Sequence, residues 1–389
     1  MSATQGHKTA LVSPFTGINY GTLLQAYSLA YVLRGKGCDS EYIAFTPYYK
    51  RSLWERIVRK LNKGLRRVFR ISMANDQTPL EDYSYMNTSD FMPLRRVLDA
   101  FVSQHIPHSS IVYNPRTIGS CKGYAKYVVG SDQTWSIENC DKNAFYFLPW
   151  VKSKCKYAYA PSLGTISISD VHHQILTKYL PSFRYLSCRE KTNCAALSAC
   201  LHKPVEPVLD PTMLISADDW RQFAVSTSNL PKRYILAYIL GTKSCISDFA
   251  ERLSLQTGLP VYYVLTCPTY LHKPNVLRDM SPQQWVYAID HAAYVVTDSF
   301  HGSLFCINLN TNFYAFAKRP QDVWHVLNDN DRIMELLQTF GLTDRFVNDE
   351  DVRHGNVLTN DMDYSEANRI VSELRQLSLN YLQKIVEDK

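Results

Sequence analysis

No stretch of the 389 residues reaches about 18 consecutive apolar side chains, so no membrane-spanning helix is expected, and Met1 to Lys8 is too short and polar for a secretory leader. Ten cysteines lie scattered, with no CxxC pair and no Cys/His cluster at metal-ligand spacing. That distribution favours reduced thiols in a cytoplasmic protein over a disulfide framework, and no structural zinc is expected. Cys188 and Cys306 read as inert packing thiols, because no motif marks either as reactive. The sequence also lacks internal repeats, low-complexity runs and any RNA- or DNA-binding motif, which sets nucleic acid aside as a partner.

What charge there is lies unevenly. The net charge is +6, yet Arg51 to Arg70 holds eight basic residues against Glu55, a local +7 that leaves the rest of the chain at −1. Leu53, Trp54, Ile57, Val58, Leu61, Leu65, Val68 and Phe69 recur there at helical spacing. Two readings stand side by side: an interfacial helix on an anionic membrane, or a helix packed on the body with a solvated basic face.

A chain of this length is too long for one ordinary core, and two domains are expected. The pattern predicts strand Thr9 to Val12, a turn-rich loop from Ser13 to Gly21, a helix from Leu23 through Leu33, and a strand from Ser40 to Phe45. This βαβ opening implies a parallel sheet. Lys126 to Val129 reads as another buried strand, ending in a polar loop where open α/β sheets bind ligands. A second alternation follows Pro204 to Pro211: strands Tyr234 to Leu240, Val261 to Leu265, Ala292 to Val296 and Phe313 to Phe316, with helices Cys245 to Leu255 and Gln283 to His291 between them. The expected division is residues 1–215, 232–345 and a terminal helix within 362–389, begun by Asp363 and Glu366 at capping-box spacing and packed across both domains. Met73 to Asp90 reads as an irregular insertion.

Thr297-Asp298-Ser299-Phe300-His301-Gly302-Ser303-Leu304 places one histidine where a buried strand turns into a helix. A helix N-terminus offers unpaired N–H groups and partial positive charge, so Ser299, Gly302 and Ser303 are candidates to wrap an anion beside the imidazole. An anion next to a proton donor suits acid-catalysed chemistry on a phosphate-bearing substrate. Against this stands a helix-start histidine that only bonds a carbonyl.

Five further motifs accompany that one in fixed order. They are Gly17-Ile18-Asn19-Tyr20-Gly21 before a helix with Gln25-Ala26-Tyr27, then Val129-Gly130-Ser131-Asp132-Gln133-Thr134-Trp135, Ser187-Cys188-Arg189-Glu190, Leu209-Asp210-Pro211-Thr212, and Asp331-Arg332-Ile333. Together, over about residues 8 to 345, the chain resembles the polysaccharide pyruvyltransferase family. The resemblance implies a GT-B-like α/β fold, two Rossmann-like domains with parallel sheets facing a cleft. It also implies transfer of pyruvate from phosphoenolpyruvate onto two hydroxyls of a sugar as a cyclic ketal, in a cell-surface or exopolysaccharide precursor. It puts the catalytic histidine at His301 and a donor-binding arginine at Arg189. Some branches of the family carry arginine where Ser299 stands, and Arg332 or the helix N-terminus is then expected to supply that grip.

Phosphoenolpyruvate is an enol ester, and protonating its methylene carbon makes the adjacent carbon electrophilic toward a hydroxyl. His301 is the expected acid, since histidine titrates near working pH and such help gives roughly 10²- to 10⁴-fold. Arg189, Ser299, Phe300, Gly302, Ser303 and Arg332 form the expected donor side. Asn19, Tyr20, Asp132, Gln133 and Trp135 form the expected acceptor side, with amide and carboxylate reading hydroxyl pairs and the indole stacking on a sugar ring. A turn capped by Asp132 with Trp135 in the core is the competing reading. Asp210-Pro211-Thr212 reads as a structural cap and turn. The scheme needs no metal and no cofactor beyond the donor. The acceptor is expected to be a sugar, with a lipid-linked oligosaccharide at the inner membrane face as one form. Two other functions fit the same outline: a nucleotide-sugar glycosyltransferase using the His301 helix to hold a diphosphate, and a non-catalytic sugar-phosphate-binding subunit of an assembly complex.

Overall fold

Short β-branched and aromatic runs bounded by turns build the strands. The computed structural model describes residues 8–46, 83–140, 144–165, 168–227, 230–242, 244–317, 329–347 and 361–388. The basic segment 51–70 and most of the 73–90 stretch lie outside them; within the latter, Tyr83–Asn87 forms a 3₁₀ turn. In the N-terminal half the strands are β1 (Thr9–Val12), β2 (Ser40–Tyr42), β3 (Lys126–Val129), β4 (Lys156–Ala158), β5 (Leu186–Cys188) and β6 (Val205–Pro207). The C-terminal half holds β7 (Ile235–Tyr238), β8 (Val261–Val264), β9 (Val276–Leu277), β10 (Tyr294–Thr297), β11 (Phe313–Phe316) and β12 (Phe346–Val347). The helices used below are α1 (Tyr20–Gly35), α2 (Met92–His105), α3 (Asp170–Tyr179), α4 (Lys191–Leu201), α5 (Ala217–Phe223), α6 (Ser244–Thr257), α7 (Pro282–Asp290), α8 (Phe300–Leu309), α9 (Asp329–Phe340) and α10 (Ser365–Glu387).

The strand orders explain where a ligand can sit. The first sheet runs β2-β1-β3-β4, with β5 bridged beyond β4 through Tyr157 and Tyr185 and itself paired with β6. The second runs β12-β11-β10-β7-β8-β9, and all pairs in both are parallel. In each sheet the chain reverses its direction of travel once, between β1 and β3 and between β7 and β10. Loops at the carboxyl ends of such strands diverge and leave a crevice. The expected α/β architecture of two parallel sheets is therefore present.

Side chains alternate between faces along each strand. Leu11 and Val128 from the first sheet and Leu236 and Val295 from the second enter one apolar cluster with α1, α7, α8 and α10. Ala10, Val12 and Val129 point to a separate cluster on the far face of the first sheet, and Ile235, Ala237 and Val296 to another behind the second. The two halves thus share a core. Tyr20 from α1 stacks on Trp285 of α7 at 5.4 Å, and its hydroxyl donates to Met280 O.

The terminal helix packs across both halves, as expected. Tyr381 donates to Ala158 O beside the first sheet, while Arg375 donates to Asn308 Oδ1 on α8. Its expected capping box is corrected. Tyr364 occupies the cap position without a side-chain bond, Asp363 Oδ1 accepts from Ser365 N at 2.9 Å, and Glu366 pairs with Arg369. The expected strand Ala292 to Val296 also starts two residues late, because Ala292 N still bonds Ile289 O of the preceding helix.

Candidate active site

The His301 motif at the end of β10 meets the first half of the chain at Gly21 and Asp210. At the end of β10, Asp298 Oδ1 accepts from Leu240 N at 2.7 Å and Oδ2 from Gly241 N at 2.8 Å, tying the loop after β7 to the start of α8. Thr297 Oγ1 accepts from Ser299 N, Ser299 Oγ accepts from Gly302 N at 3.2 Å, and Ser303 Oγ donates to Ser299 O. Ser299 is the helix cap. The expectation that Ser299, Gly302 and Ser303 wrap an anion is corrected here: these groups satisfy one another. A Cβ on Gly302 would lie 2.6 Å from Thr297 Oγ1, so the glycine is needed for the tight turn itself.

His301 is 6% exposed and lies against α1 of the other half. A Cβ built on Gly21 would stand 2.3 Å from its Cγ and Nδ1. Gly21, where the expected turn-rich loop ends, makes space for the imidazole, while Gly17, at φ 114°, is the residue that turns the chain. His301 Nε2 faces Asp210 Oδ2 at 3.5 Å.

Asp210, expected as a structural cap and turn, does more than cap. It does cap: Oδ1 accepts from Thr212 N at 3.0 Å and Thr212 Oγ1 at 2.8 Å. Its other oxygen gathers the site. Oδ2 accepts from Ser131 Oγ at 2.8 Å and from Arg189 Nη1 at 3.0 Å, and meets His301. Burial alone would raise this carboxyl, but His301 and Arg189 reverse that and hold it far below the usual carboxylate range.

Arg189 directly follows β5, and its side chain is 4% exposed. Nε pairs with Glu190 at 3.3 Å, and the guanidinium carbon lies 4.0 Å from the centre of the Phe300 ring. Burial disfavours its charge, while Glu190, Asp210 and Asp132 more than restore it, so it stays a cation. Nη2 is buried without a hydrogen-bond partner among the described residues. Arg332, from α9, approaches the same Phe300 ring at 5.7 Å, and with the Gln133 amide turned so that its oxygen faces the guanidinium, that oxygen accepts from Nη2 at 2.5 Å and Nη1 at 3.1 Å. Phe300 therefore carries two guanidinium groups from opposite halves.

On the expected acceptor side the structure sorts the residues. Asn19 caps α1, its Oδ1 accepting from Gly21 N and Thr22 N. Asp132 adopts φ 76° and accepts from Thr22 Oγ1 at 2.8 Å, placing it beside the site. Two expectations are corrected. Trp135 is fully buried, stacked near Phe147, its Nε1 donating to Tyr146 O, so its indole meets no sugar. Tyr20 is the inter-sheet stack described above and offers no free hydroxyl. Cys188 and Cys306 are buried, and burial pushes both thiols well above their ordinary range, as packing thiols require. Among the described residues no group of three or more His, Cys, Asp or Glu side chains is placed to hold a metal.

A family model for polysaccharide pyruvyl transferase matches residues 19–318 of the chain. The chain belongs to the polysaccharide pyruvyl transferase family. Within that family frame the matched span runs from the cap of α1 to just past β11 and contains His301, Arg189, Asp210 and Asp132, with Arg332 beyond it. No curated protein matches the sequence. Among solved structures, a UDP-GlcNAc 2-epimerase from Neisseria meningitidis matches at 10% identity over 98% of this chain and 94% of its own, TM-score 0.41. The Methanocaldococcus jannaschii enzyme of that name matches at 11% over 95% and 99%, TM-score 0.45. E. coli heptosyltransferase WaaC matches at 9% over 94% and 99%, TM-score 0.35.

Proposed function

We propose that this transferase moves pyruvate from phosphoenolpyruvate to two hydroxyls of a sugar in a polysaccharide precursor, closing a cyclic ketal. The observation that carries the reading is the meeting of His301 and Arg189, from opposite halves, on one carboxylate oxygen inside a family built around sugar pyruvylation. His301 is the acid. Its N–H bond breaks as the enol π pair forms a C–H bond at the methylene carbon. A sugar hydroxyl adds to the resulting cationic carbon and returns its proton to the imidazole. The second hydroxyl then displaces phosphate, which leaves with the remaining proton. Arg189 Nη2 and Arg332 are the donors for the developing phosphate charge, worth more in a water-poor site than in solvent.

Asp132 and Gln133, half-buried in the loop after β3, are the hydroxyl readers. The basic segment 51–70 suits contact with an anionic membrane carrying a lipid-linked acceptor, and sedimentation with anionic liposomes before and after charge reversal of Arg56, Arg59, Lys63 and Arg66 tests it. For the transfer itself, the enzyme is incubated with phosphoenolpyruvate and a panel of saccharides in D₂O. The reading requires phosphate release coupled to a ketal whose methyl group carries solvent deuterium. Phosphate release with pyruvate ending free, or no release from any saccharide beside turnover of a nucleotide sugar, would overturn it.

A further inference from the structure

The site as folded contains more charge than its shape suggests. The charged groups around the imidazole are Asp210 from the turn after β6, Arg189 after β5, Asp132 after β3, Arg332 on α9 and Asp298 ahead of α8. Asp298 is spent on two backbone N–H groups. Arg332 is held off by Phe300 and Gln133. Glu190, buried beside Arg189, pairs with its Nε at 3.3 Å, so what remains is His301 and Arg189 as neighbours that each touch Asp210 Oδ2. The Asp210 carboxylate is the one group that touches both.

Asp210 is also rigidly aimed. Thr212 fixes one oxygen by two hydrogen bonds, Ser131 donates to the other, and the residue is 2% exposed. Such over-determination is more than a helix cap needs, since a cap uses one oxygen and a hydroxyl serves equally well. The three groups on Oδ2 come from three separate places: the loop after β3, the loop after β5 and the first turn of α8.

We propose that Asp210 is the positioning residue of this active site: its Oδ2 orients the His301 imidazole and aims Arg189 toward the donor. This rests on the reading of His301 as the acid. A separation of 3.5 Å suits a pair that tightens when substrate fills the site.

Asp210→Asn keeps the shape and removes the charge. The expected result is a kcat lower by about 10² or more, with the alkaline limb of the pH–kcat profile moved to lower pH by about one unit or more. Ser131→Ala, which leaves the carboxylate charged, is expected to keep that limb within a few tenths of a unit. The imidazole ¹⁵N resonances of His301, assigned by their loss in His301→Gln, give a readout free of substrate. They must move in Asp210→Asn, and by clearly more than in Ser131→Ala, which leaves the carboxylate in place. An unmoved limb or unmoved resonances in folded Asp210→Asn would sink the proposal. Should that variant not fold, Thr212→Val, which removes the Oγ1 bond to Oδ1 and keeps the backbone one, decides: a lowered kcat with shifted His301 resonances supports the role, and no change in either overturns it. Resonances that move in a protein that phosphoenolpyruvate neither binds nor feeds would leave the dyad standing and the donor reading fallen.

Discussion

Gly21 and His301 come from helices in opposite halves, and the contact between them allows nothing larger than hydrogen on the α1 side. A methyl there would meet the imidazole at 2.3 Å. Gly21→Ala is therefore expected to push the ring off Asp210, cutting turnover by about 10² or more while costing only about 1–3 kcal/mol of stability; steady-state kinetics beside urea unfolding checks both. Asp210 supplies a pH prediction. Its carboxyl titrates lower in the folded chain than in the unfolded one, so the unfolded state binds the proton first as pH falls. The stability it contributes is present above about pH 4 and drains away below. Asp210→Asn is expected to flatten the acid side of the stability curve, and a curve identical to wild type would contradict the buried ion cluster. His301 and Arg189 were legible as chemistry because each sits in a local motif. Asp210 was not, since its partners lie 79, 21 and 91 residues away in sequence and only the fold brings them to one oxygen. Tyr20 and Trp135 were misread for a related reason: an aromatic ring with one polar atom looks the same in sequence whether it faces a sugar or a core.

Secondary-structure elements carry the site by their ends. Asp298 fastens the loop after β7 with two hydrogen bonds that no neutral side chain can fully replace. Asp298→Ala leaves two backbone donors seeking partners, at a cost of about 1–3 kcal/mol each when buried, and is expected to loosen Ser299 and lower kcat as well. Denaturant midpoints with unchanged slopes measure that cost. On the other side, α3 reaches Trp135 through His172, whose Nε2 donates to Trp135 O at 2.7 Å. Burial lowers the pKa of His172, only partly countered by that bond, so the folded ring resists the proton that the unfolded chain accepts. Stability is expected to fall as pH drops below about 6.5, and His172→Gln to remove that slope between pH 5 and 7. Strand positions were readable from apolar runs, within a residue or two at the ends. The two-residue β9 and β12 were not, being too short to show a period. The terminal capping box failed because Glu366 found Arg369 on its own helix, a contact the spacing Asp363-x-x-Glu366 does not reveal.

At the scale of the whole molecule, the expectation of two domains needs one physical amendment. Leu11, Val128, Leu236 and Val295 contribute to the same apolar cluster, pinned by the Tyr20–Trp285 stack and crossed by α10. A cleft lined by a shared core opens less freely than one between separately packed domains. Unfolding followed by far-ultraviolet circular dichroism and by tryptophan fluorescence is expected to give one coincident transition, and Trp285→Ala to lower it by about 3–5 kcal/mol. Two separate transitions would show the halves folding independently. The central claim, that the facing strand ends hold phosphoenolpyruvate between His301 and Arg189, is tested most directly by thermal unfolding with that ligand against a panel of nucleotide sugars. The account predicts stabilisation by phosphoenolpyruvate, about 2.7 kcal/mol at a hundredfold Kd, sharply reduced in Arg189→Ala, with no comparable shift from any nucleotide sugar. Stabilisation by a nucleotide sugar and none by phosphoenolpyruvate would contradict it.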